Sequence, residues 1–180
     1  LVSGIRTTTR SDLSVRFRQA FGALFSFTME AARVRDESES AGFSSRTYSI
    51  QRNEFIPGGV IAGEYNSISL RLHLTQGRDE RSDISAKSFR LPLDWTWSTS
   101  QRIQIRSGLE YSNVNLDGVA VGLQLFELTE GRGKGESWLW RTRADVRASE
   151  TVTATLAYDG RAPSVGPIIH TGRLQLTARF

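Results

Sequence analysis

The stretch Trp138-Leu139-Trp140-Arg141-Thr142-Arg143-Ala144-Asp145-Val146-Arg147-Ala148 decides the fold class. Every second residue, Trp138, Trp140, Thr142, Ala144, Val146 and Ala148, is uncharged. The residues between them include Arg141, Arg143, Asp145 and Arg147. Successive side chains of a β-strand point to opposite sides, so the pattern describes a strand with one uncharged and one charged face. On a helix the same residues would scatter charge around the whole axis. The alternation holds for about ten residues, the length that crosses a bilayer at a tilt. Strands of soluble sandwiches usually stop near five or six.

The same two-faced phase recurs on both sides of this stretch. One face carries Ile68, Leu70, Leu72, Leu74; Leu91, Leu93, Trp95, Trp97; and Ile103, Ile105, Ser107, Leu109, Tyr111. It continues after Trp138–Ala148 with Val152, Ala154, Leu156, Tyr158 and then Leu174, Leu176, Ala178, Phe180. Ser107 and Thr142 are its only polar members, and none is charged. The interleaved face carries Arg71, Asp94, Arg102, Arg106, Glu110, Arg141, Arg143, Asp145, Arg147, Arg173 and Arg179. In all, the pattern predicts ten strands, at about 11–18, 23–35, 45–54, 59–76, 82–98, 101–112, 118–129, 136–148, 151–160 and 171–180. Turns are expected at Pro57-Gly58-Gly59, Gln76-Gly77-Arg78-Asp79, Ser98-Thr99-Ser100, Asp117-Gly118 and Gly131–Gly135. The polar run Asp36–Ser45 and the segment Gly160–Gly166 read as loops.

An apolar face of this kind meets either lipid or the core of a soluble β-sandwich or jelly roll. The aromatics favour lipid. Trp95 and Trp97 end one strand, Tyr111 and Tyr158 end two others, and Trp138 and Trp140 begin another, with Leu, Ile, Val and Ala between. Amphipathic rings gather in this way at the two membrane interfaces, whereas a sandwich core draws its bulkiest rings toward the centre.

The last eight residues, Arg173-Leu174-Gln175-Leu176-Thr177-Ala178-Arg179-Phe180, alternate without a break and stop on Phe. Here the chain resembles the C-terminal strand of Gram-negative outer-membrane proteins. The resemblance implies an assembly signal at Leu174, Leu176, Ala178 and Phe180, read by the barrel-assembly machinery. Ala178 is smaller than the residue usual at its place. A fainter likeness, carried by Phe126-Glu127-Leu128-Thr129, Gly131, Trp138, Tyr158, Gly160-Arg161 and His170-Thr171-Gly172, is to the closing strands of large barrels of the Bacteroidota and related phyla.

Composition agrees with a folded, turn-rich chain and narrows its chemistry. The 180 residues are 38% hydrophobic and 23% charged, with 16 glycines and 4 prolines, which is too apolar for disorder. The net charge of +4 comes mostly from single arginines, not from the basic patches with interleaved aromatics of a nucleic-acid surface, so no nucleic-acid partner is expected. There is no cysteine, which excludes disulfides, thiolate metal ligands and thiol catalysis. No run of apolar residues is long enough for a transmembrane helix, a test that does not bear on strands.

The run Gly131-Arg132-Gly133-Lys134-Gly135-Glu136-Ser137 superficially resembles a phosphate loop, but Gly135 stands where Ser or Thr is required and a strand follows instead of a helix. It reads as a hairpin loop. His73 and His170 lie too far apart for a metal signature, with His73 on the polar face and His170 opening the last strand. Asp79-Glu80 and Glu37–Glu39 fall in expected loops and read as solvated. No G-x-S-x-G elbow or calcium loop is present. No cofactor, metal or catalytic residue is predicted, and the chain is expected to be no enzyme.

The sequence therefore predicts an all-β antiparallel transmembrane β-barrel of about ten strands. It spans residues 1–180 as one domain, either closed by itself or as the C-terminal part of a larger barrel. It is expected in the bacterial outer membrane as a channel or transport wall, or as an anchor for other envelope subunits. The alternative is a soluble carbohydrate-binding sandwich or jelly roll. Arg71, Arg102, Arg106, Glu110, Arg141, Arg143, Asp145 and Arg147 are the expected lumen-facing set, forming either a charge network or an anion path. Trp95, Trp97, Tyr111, Trp138, Trp140 and Tyr158 are the expected interfacial girdle. Counting crossings back from Phe180 on the periplasmic side puts the Ser149-Glu150 turn there too, and the short Ser98–Gln101 turn outside. Outer-membrane barrels keep their short turns on the periplasmic side, so that count conflicts with the class.

Overall fold

The computed structural model describes residues 6–40, 47–99, 102–120 and 122–179. It contains one antiparallel ten-stranded sheet and one helix. The strands are β1 (Arg6–Phe21), β2 (Phe25–Ser40), β3 (Tyr48–Ala62), β4 (Asn66–Arg71), β5 (His73–Asp79), β6 (Ile84–Thr99) and β7 (Ile103–Asp117). After α1 (Gly122–Thr129) come β8 (Gly135–Arg147), β9 (Val152–Ala162) and β10 (Ile169–Ala178). Every strand pairs with its neighbour in sequence, except that β4 and β5 are collinear and both lie between β3 and β6. The register from Asn66 to Asp79 is continuous on both sides, so β4 and β5 together make one crossing.

The single break falls at Leu72, opposite Pro57 of β3. Proline has no N–H, so that rung carries one ladder bond, from the Leu72 N–H to the Pro57 carbonyl at 2.9 Å. The same residue corrects an expectation. Pro57-Gly58-Gly59 is no turn: it lies inside β3, paired with β2 on one side and β4 on the other. The expected strands 45–54 and 59–76 are therefore redrawn as β3 and the β4/β5 crossing, with the turn between them at 63–65. Two other boundaries move for a similar reason. Much of the Asp36–Ser45 run is the end of β2, held in register by β1 and β3, and 41–46 lie outside the described residues. Gln76–Asp79 is the end of β5, and the turn is at 80–83.

The register confirms the two faces. Residues directly opposite in an antiparallel ladder share a side. The rung Leu70, Leu93, Leu109, Trp140 crosses β4, β6, β7 and β8 without leaving the apolar side. Trp97, Ile105, Ala144, Leu156 and Leu174 form a second rung across β6 to β10. Phe17, Met29 and Pro57, with Phe21, Phe25, Ile61 and Ile68, continue this face over β1 to β4.

Among the described residues no second layer covers these rungs. Leu70 is 45% exposed, Val146 36% and Leu176 72%, and Ile105 is half-buried within the sheet. A soluble sandwich would bury this face, so that alternative fails.

The buried apolar residues lie on the opposite face and near one end. Tyr48, Ile50, Ile84, Ala86, Ala120 and Leu128 form one cluster, with Leu116, Leu123 and Leu125 packed against it. Helix α1 supplies its lid. The expected strand at 118–129 is thus corrected to a loop carrying a helix. Leu128 is buried and Leu123 and Leu125 are half-buried in the cluster, and this packing of a short helix on β3, β5 and β6 outweighs any alternation read along the chain.

Removing that strand from the count also resolves the topological conflict. The turns at 22–24, 63–65 and 148–151 and the step from β6 to β7 now all lie at one end of the sheet, with the connections from β2 to β3, β5 to β6, β7 to β8 and β9 to β10 at the other. Short turns at one end and loops at the other are the outer-membrane barrel arrangement. Ser100 and Gln101, between β6 and β7, and Phe180 lie outside the described residues.

Candidate functional site

The polar face has two parts. Near the loop end it is dry, closed by α1 and its contacts. Asp36 of β2 and Arg52 of β3 are both buried and paired at 2.8 Å. The second guanidinium nitrogen of Arg52 donates to the Glu127 carbonyl at 3.0 Å, near the C-terminal end of α1 where helix carbonyls lack partners. At the other end of α1, the Gln124 side-chain amide donates to Asp79 and, at 2.7 Å, to the Ser82 hydroxyl. Asp79 is fully buried and also accepts from the Ser49 N–H at 3.0 Å, the Arg81 N–H at 3.2 Å and the Ser82 hydroxyl at 2.6 Å.

Burial raises its carboxyl pKa, but these hydrogen bonds outweigh burial and hold it below the ordinary value. Asp79 lies five residues beyond Leu74, where both faces of the sheet are polar or sealed, outside the apolar band. Its expected role as a solvated loop residue is corrected: the turn it opens folds back over it. Past α1, Glu130 pairs with Arg90 of β6 at 2.9 Å and Arg132 with Glu110 of β7 at 2.9 Å.

Toward the short-turn end the same face is an open ladder of charge. Asp94 of β6 receives Arg141 at 3.0 Å and Arg71 at 3.5 Å. Arg143 forms a two-pronged pair with Asp145, whose other contact is the Thr155 hydroxyl at 2.7 Å. Arg106 donates to Gln104. Among the described residues Arg102, Arg106, Arg147 and Arg173 form no ion pair, and this region keeps a surplus of positive charge.

Glycine makes room for the network at one point. A side chain at Gly108 would stand 2.8 Å from Arg141 Nε and 3.0 Å from an Asp94 oxygen. All eight residues singled out from the sequence lie on this face. Glu110 joins the α1 anchor through Arg132 instead of pairing with a strand arginine.

On the apolar face the six expected aromatics occupy successive rungs: Trp97, then Trp95 with Tyr158, then Trp140, then Tyr111 with Trp138. Tyr111 and Trp138 are in contact at 4.9 Å between ring centres, with Phe89 6.1 Å from Tyr111. Trp140 lies over Gly160 so closely that a side chain there would meet the indole at 2.1 Å. His170 packs 5.7 Å from Trp140 and bonds the Tyr158 hydroxyl at 2.8 Å, so it has partners that the sequence did not disclose. Trp95 and Trp97 stand near the short-turn end of β6.

The sequence missed Asp79, Arg52, Asp36, Gln124, Arg90 and Glu130. The available signals were the charge in phase with the polar face at Asp36, Arg52 and Arg90, and the Leu-x-Leu-x-x-Leu spacing of 123–128.

No family model matches the chain, and no curated protein matches it in sequence. Its structure is similar to solved structures of OmpT, an outer membrane protein of Vibrio cholerae. A loop L8 deletion mutant of OmpT aligns with a TM-score of 0.69 at 9% identity, covering 94% of this chain and 53% of that one. In-vitro folded OmpT in its trimer form aligns with a TM-score of 0.64 at 9% identity, covering 84% and 45%. The chain thus spans about half the length of the structures it matches.

The likeness corrects one expectation. That the chain is no enzyme rested on unmatched motifs within a presumed transport class, and a fold shared at 9% identity supports neither an activity nor its exclusion. The exclusion is withdrawn. What the register, the exposed apolar face and these alignments establish together is that this chain has the fold of bacterial outer-membrane β-barrel proteins.

Proposed function

We propose that this sheet forms part of the wall of an outer-membrane channel, with its apolar face on lipid and its polar face on the lumen. The observation that carries the reading is the division of the polar face. One end is filled by α1 on a dry cluster, and the rest is an arginine-rich ladder left open to water. A structural plug or inert anchor has no need of a charge surplus beside a narrowing helix. In a pore, a narrow passage followed by fixed positive charge selects for anions.

The ladder joins both roles that the sequence left open: its paired members, Arg71, Arg141 and Arg143, fix geometry, and its unpaired members, Arg102, Arg106 and Arg147, supply field. The sheet's two edges support a larger wall. Among the described residues β1 bonds only to β2 and β10 only to β9, and unpaired edges are costly in hydrocarbon. Further strands therefore meet both edges.

The test is single-channel recording in planar bilayers with Arg→Ser changes at 106, 141, 143 and 147. Anion preference should fall in the assembled pore, with conductance retained. Unchanged reversal potentials in a salt gradient would reject the selectivity, and no conductance from the folded protein would reject the channel.

A further inference from the structure

The open end of the polar face holds a depression of about 590 Å³ between β6 and β10. Two rungs of that face enclose it. One runs Thr96, Arg106, Arg143, Ala157, Arg173. The next toward the loops runs Asp94, Gly108, Arg141, Asp159, Thr171. Gly108 and Ala157 leave the room, since neither has a side chain larger than a methyl group.

Gly108 also decides which charges stay free. Arg141 lies opposite both Gly108 and Asp159, and it crosses the glycine to pair with Asp94 at 3.0 Å. Arg143 is held by Asp145 at 3.0 Å. Three exposed groups around the depression are then left, among the described residues, without an ion pair: Arg106, Arg173 and Asp159. Arg106 and Arg173 share a rung three strand spacings apart, so their backbones stand roughly 14 Å from one another. Asp159 comes between them, on the strand next to Arg173.

A free acid between two free cations is more than a plain anion path needs. It repels chloride, phosphate and short dicarboxylates, and it asks a hydrogen-bond donor of whatever binds.

We infer that this depression is a binding subsite for an acidic oligosaccharide, with carboxylates of its sugar acids on Arg106 and Arg173 and its hydroxyls on Asp159. The inference rests on the reading of the polar face as a lumen and names the solute class of that site. Each free group answers one part of such a sugar. A guanidinium takes a carboxylate with two parallel hydrogen bonds. The two oxygens of Asp159 accept from neighbouring hydroxyls of one ring, and the hydroxyls of Thr96 and Thr171 both donate and accept. A chain of two or three rings covers the distance between the arginines. A single phosphate or short dicarboxylate would have to draw both side chains across the depression. An acidic peptide fits less well, because the two rungs offer no apolar side chain larger than Ala157 to hold the peptide's own.

The experiment uses the assembled, detergent-solubilised barrel in calorimetric titrations and the same protein in planar bilayers. The probes are a linear trisaccharide of hexuronic acid, its carboxyl-reduced neutral form, adipate and inorganic phosphate. The acidic trisaccharide should bind at least about tenfold more tightly than the other three. Arg106→Gln with Arg173→Gln should bring it down to the level of the neutral form. Asp159→Ala is the sharper variant. It should weaken the acidic trisaccharide by about tenfold, the loss of a hydrogen-bonded carboxylate, while raising the pore's preference for chloride. A site that reads charge alone would bind every anion more tightly once an acid is removed.

Unchanged or tighter binding of the acidic trisaccharide by the Asp159 variant would overturn the proposal, as would adipate or phosphate binding as tightly as the sugar. Heat-modifiable gel mobility checks each variant's folding. An anion-selective pore that ignores the trisaccharide would defeat the subsite and leave the channel. A folded barrel that binds it and passes no current would defeat the channel and leave the subsite.

Discussion

At the scale of single residues, the side chains that matter most are those whose environment contradicts their type. Asp79 is a fully buried carboxylate made tolerable by four hydrogen bonds, one of them from α1. Its folded pKa lies below the ordinary 3.8, so its contribution is complete above that value and is lost as pH falls through the folded value. Protection of the α1 amides against hydrogen exchange, taken relative to the unfolded chain at the same pH, should therefore be high at neutral pH and fall once the pH drops below the ordinary carboxylate value, and Asp79→Asn should show the low protection at both. Exchange in the variant that matches the wild type at neutral pH would show that the carboxylate does not anchor the helix.

Gly160 is the reverse case, a missing side chain whose space is filled by the Trp140 ring. Gly160→Ala should force the indole from its place, cost about 1–3 kcal/mol and shift tryptophan emission. Equilibrium unfolding in urea with the emission as signal measures both. Neither residue was legible in the sequence. Asp79 reads as a loop acid because the turn that covers it closes four residues later, and Gly160 reads as a turn signal because its partner lies on another strand. The outward set was legible, because a strand's period of two fixes a side chain's face before any partner is known.

At the scale of elements, alternation located strands well and ended them badly. It identified β6, β7, β8, β9 and β10 closely, since the middles of those stretches carry charge on one face only. It failed at β3, where Pro57-Gly58-Gly59 has the composition of a turn but is held straight by a neighbour on each side. It failed again at α1, whose eight residues are too few to announce a helical period and whose helicity is settled by burial on the sheet.

The two faces now make a quantitative claim about where charge is tolerated. Leu93 lies between Phe89 and Trp95 on the apolar side of β6, with Leu70 and Leu109 beside it on the same rung. Leu93→Arg places a cation in hydrocarbon and should cost roughly 2–4 kcal/mol of folding stability in bilayers. Thr96→Arg, on the polar face of the same strand, should cost far less. Folding titrations in lipid vesicles compare the pair, and equal losses would mean that the faces are assigned the wrong way round.

At the scale of the whole molecule, the division of one face into a sealed end and an open charged end bears on function. The core does not run through the middle of the sheet, as it would in a soluble domain. It is gathered under α1 at the loop end, where Tyr48, Ile50 and Ile84 have no lipid to meet. A barrel wall needs no such core for stability, since its ladder bonds and the surrounding lipid hold it. The cluster is best understood as the seat of the helix.

The seat fixes α1 through groups at both ends: Gln124 on Asp79 at the first, and Arg52 on the Glu127 carbonyl, Arg90 on Glu130 and Arg132 on Glu110 at the second. In the proposed channel, a helix tied in this way would narrow the passage permanently and would not swing as a lid. Replacing residues 119–132 with a short Gly-Ser linker should therefore raise single-channel conductance and leave the pore open at all voltages. Arg90→Gln with Arg132→Gln, which loosens the second end and leaves Arg52 as its one tie, should give noisy currents that flicker between the two levels. If both variants conduct as the wild type does, α1 lies outside the path of the ions, and the narrowest point must be sought among strands that meet β1 and β10.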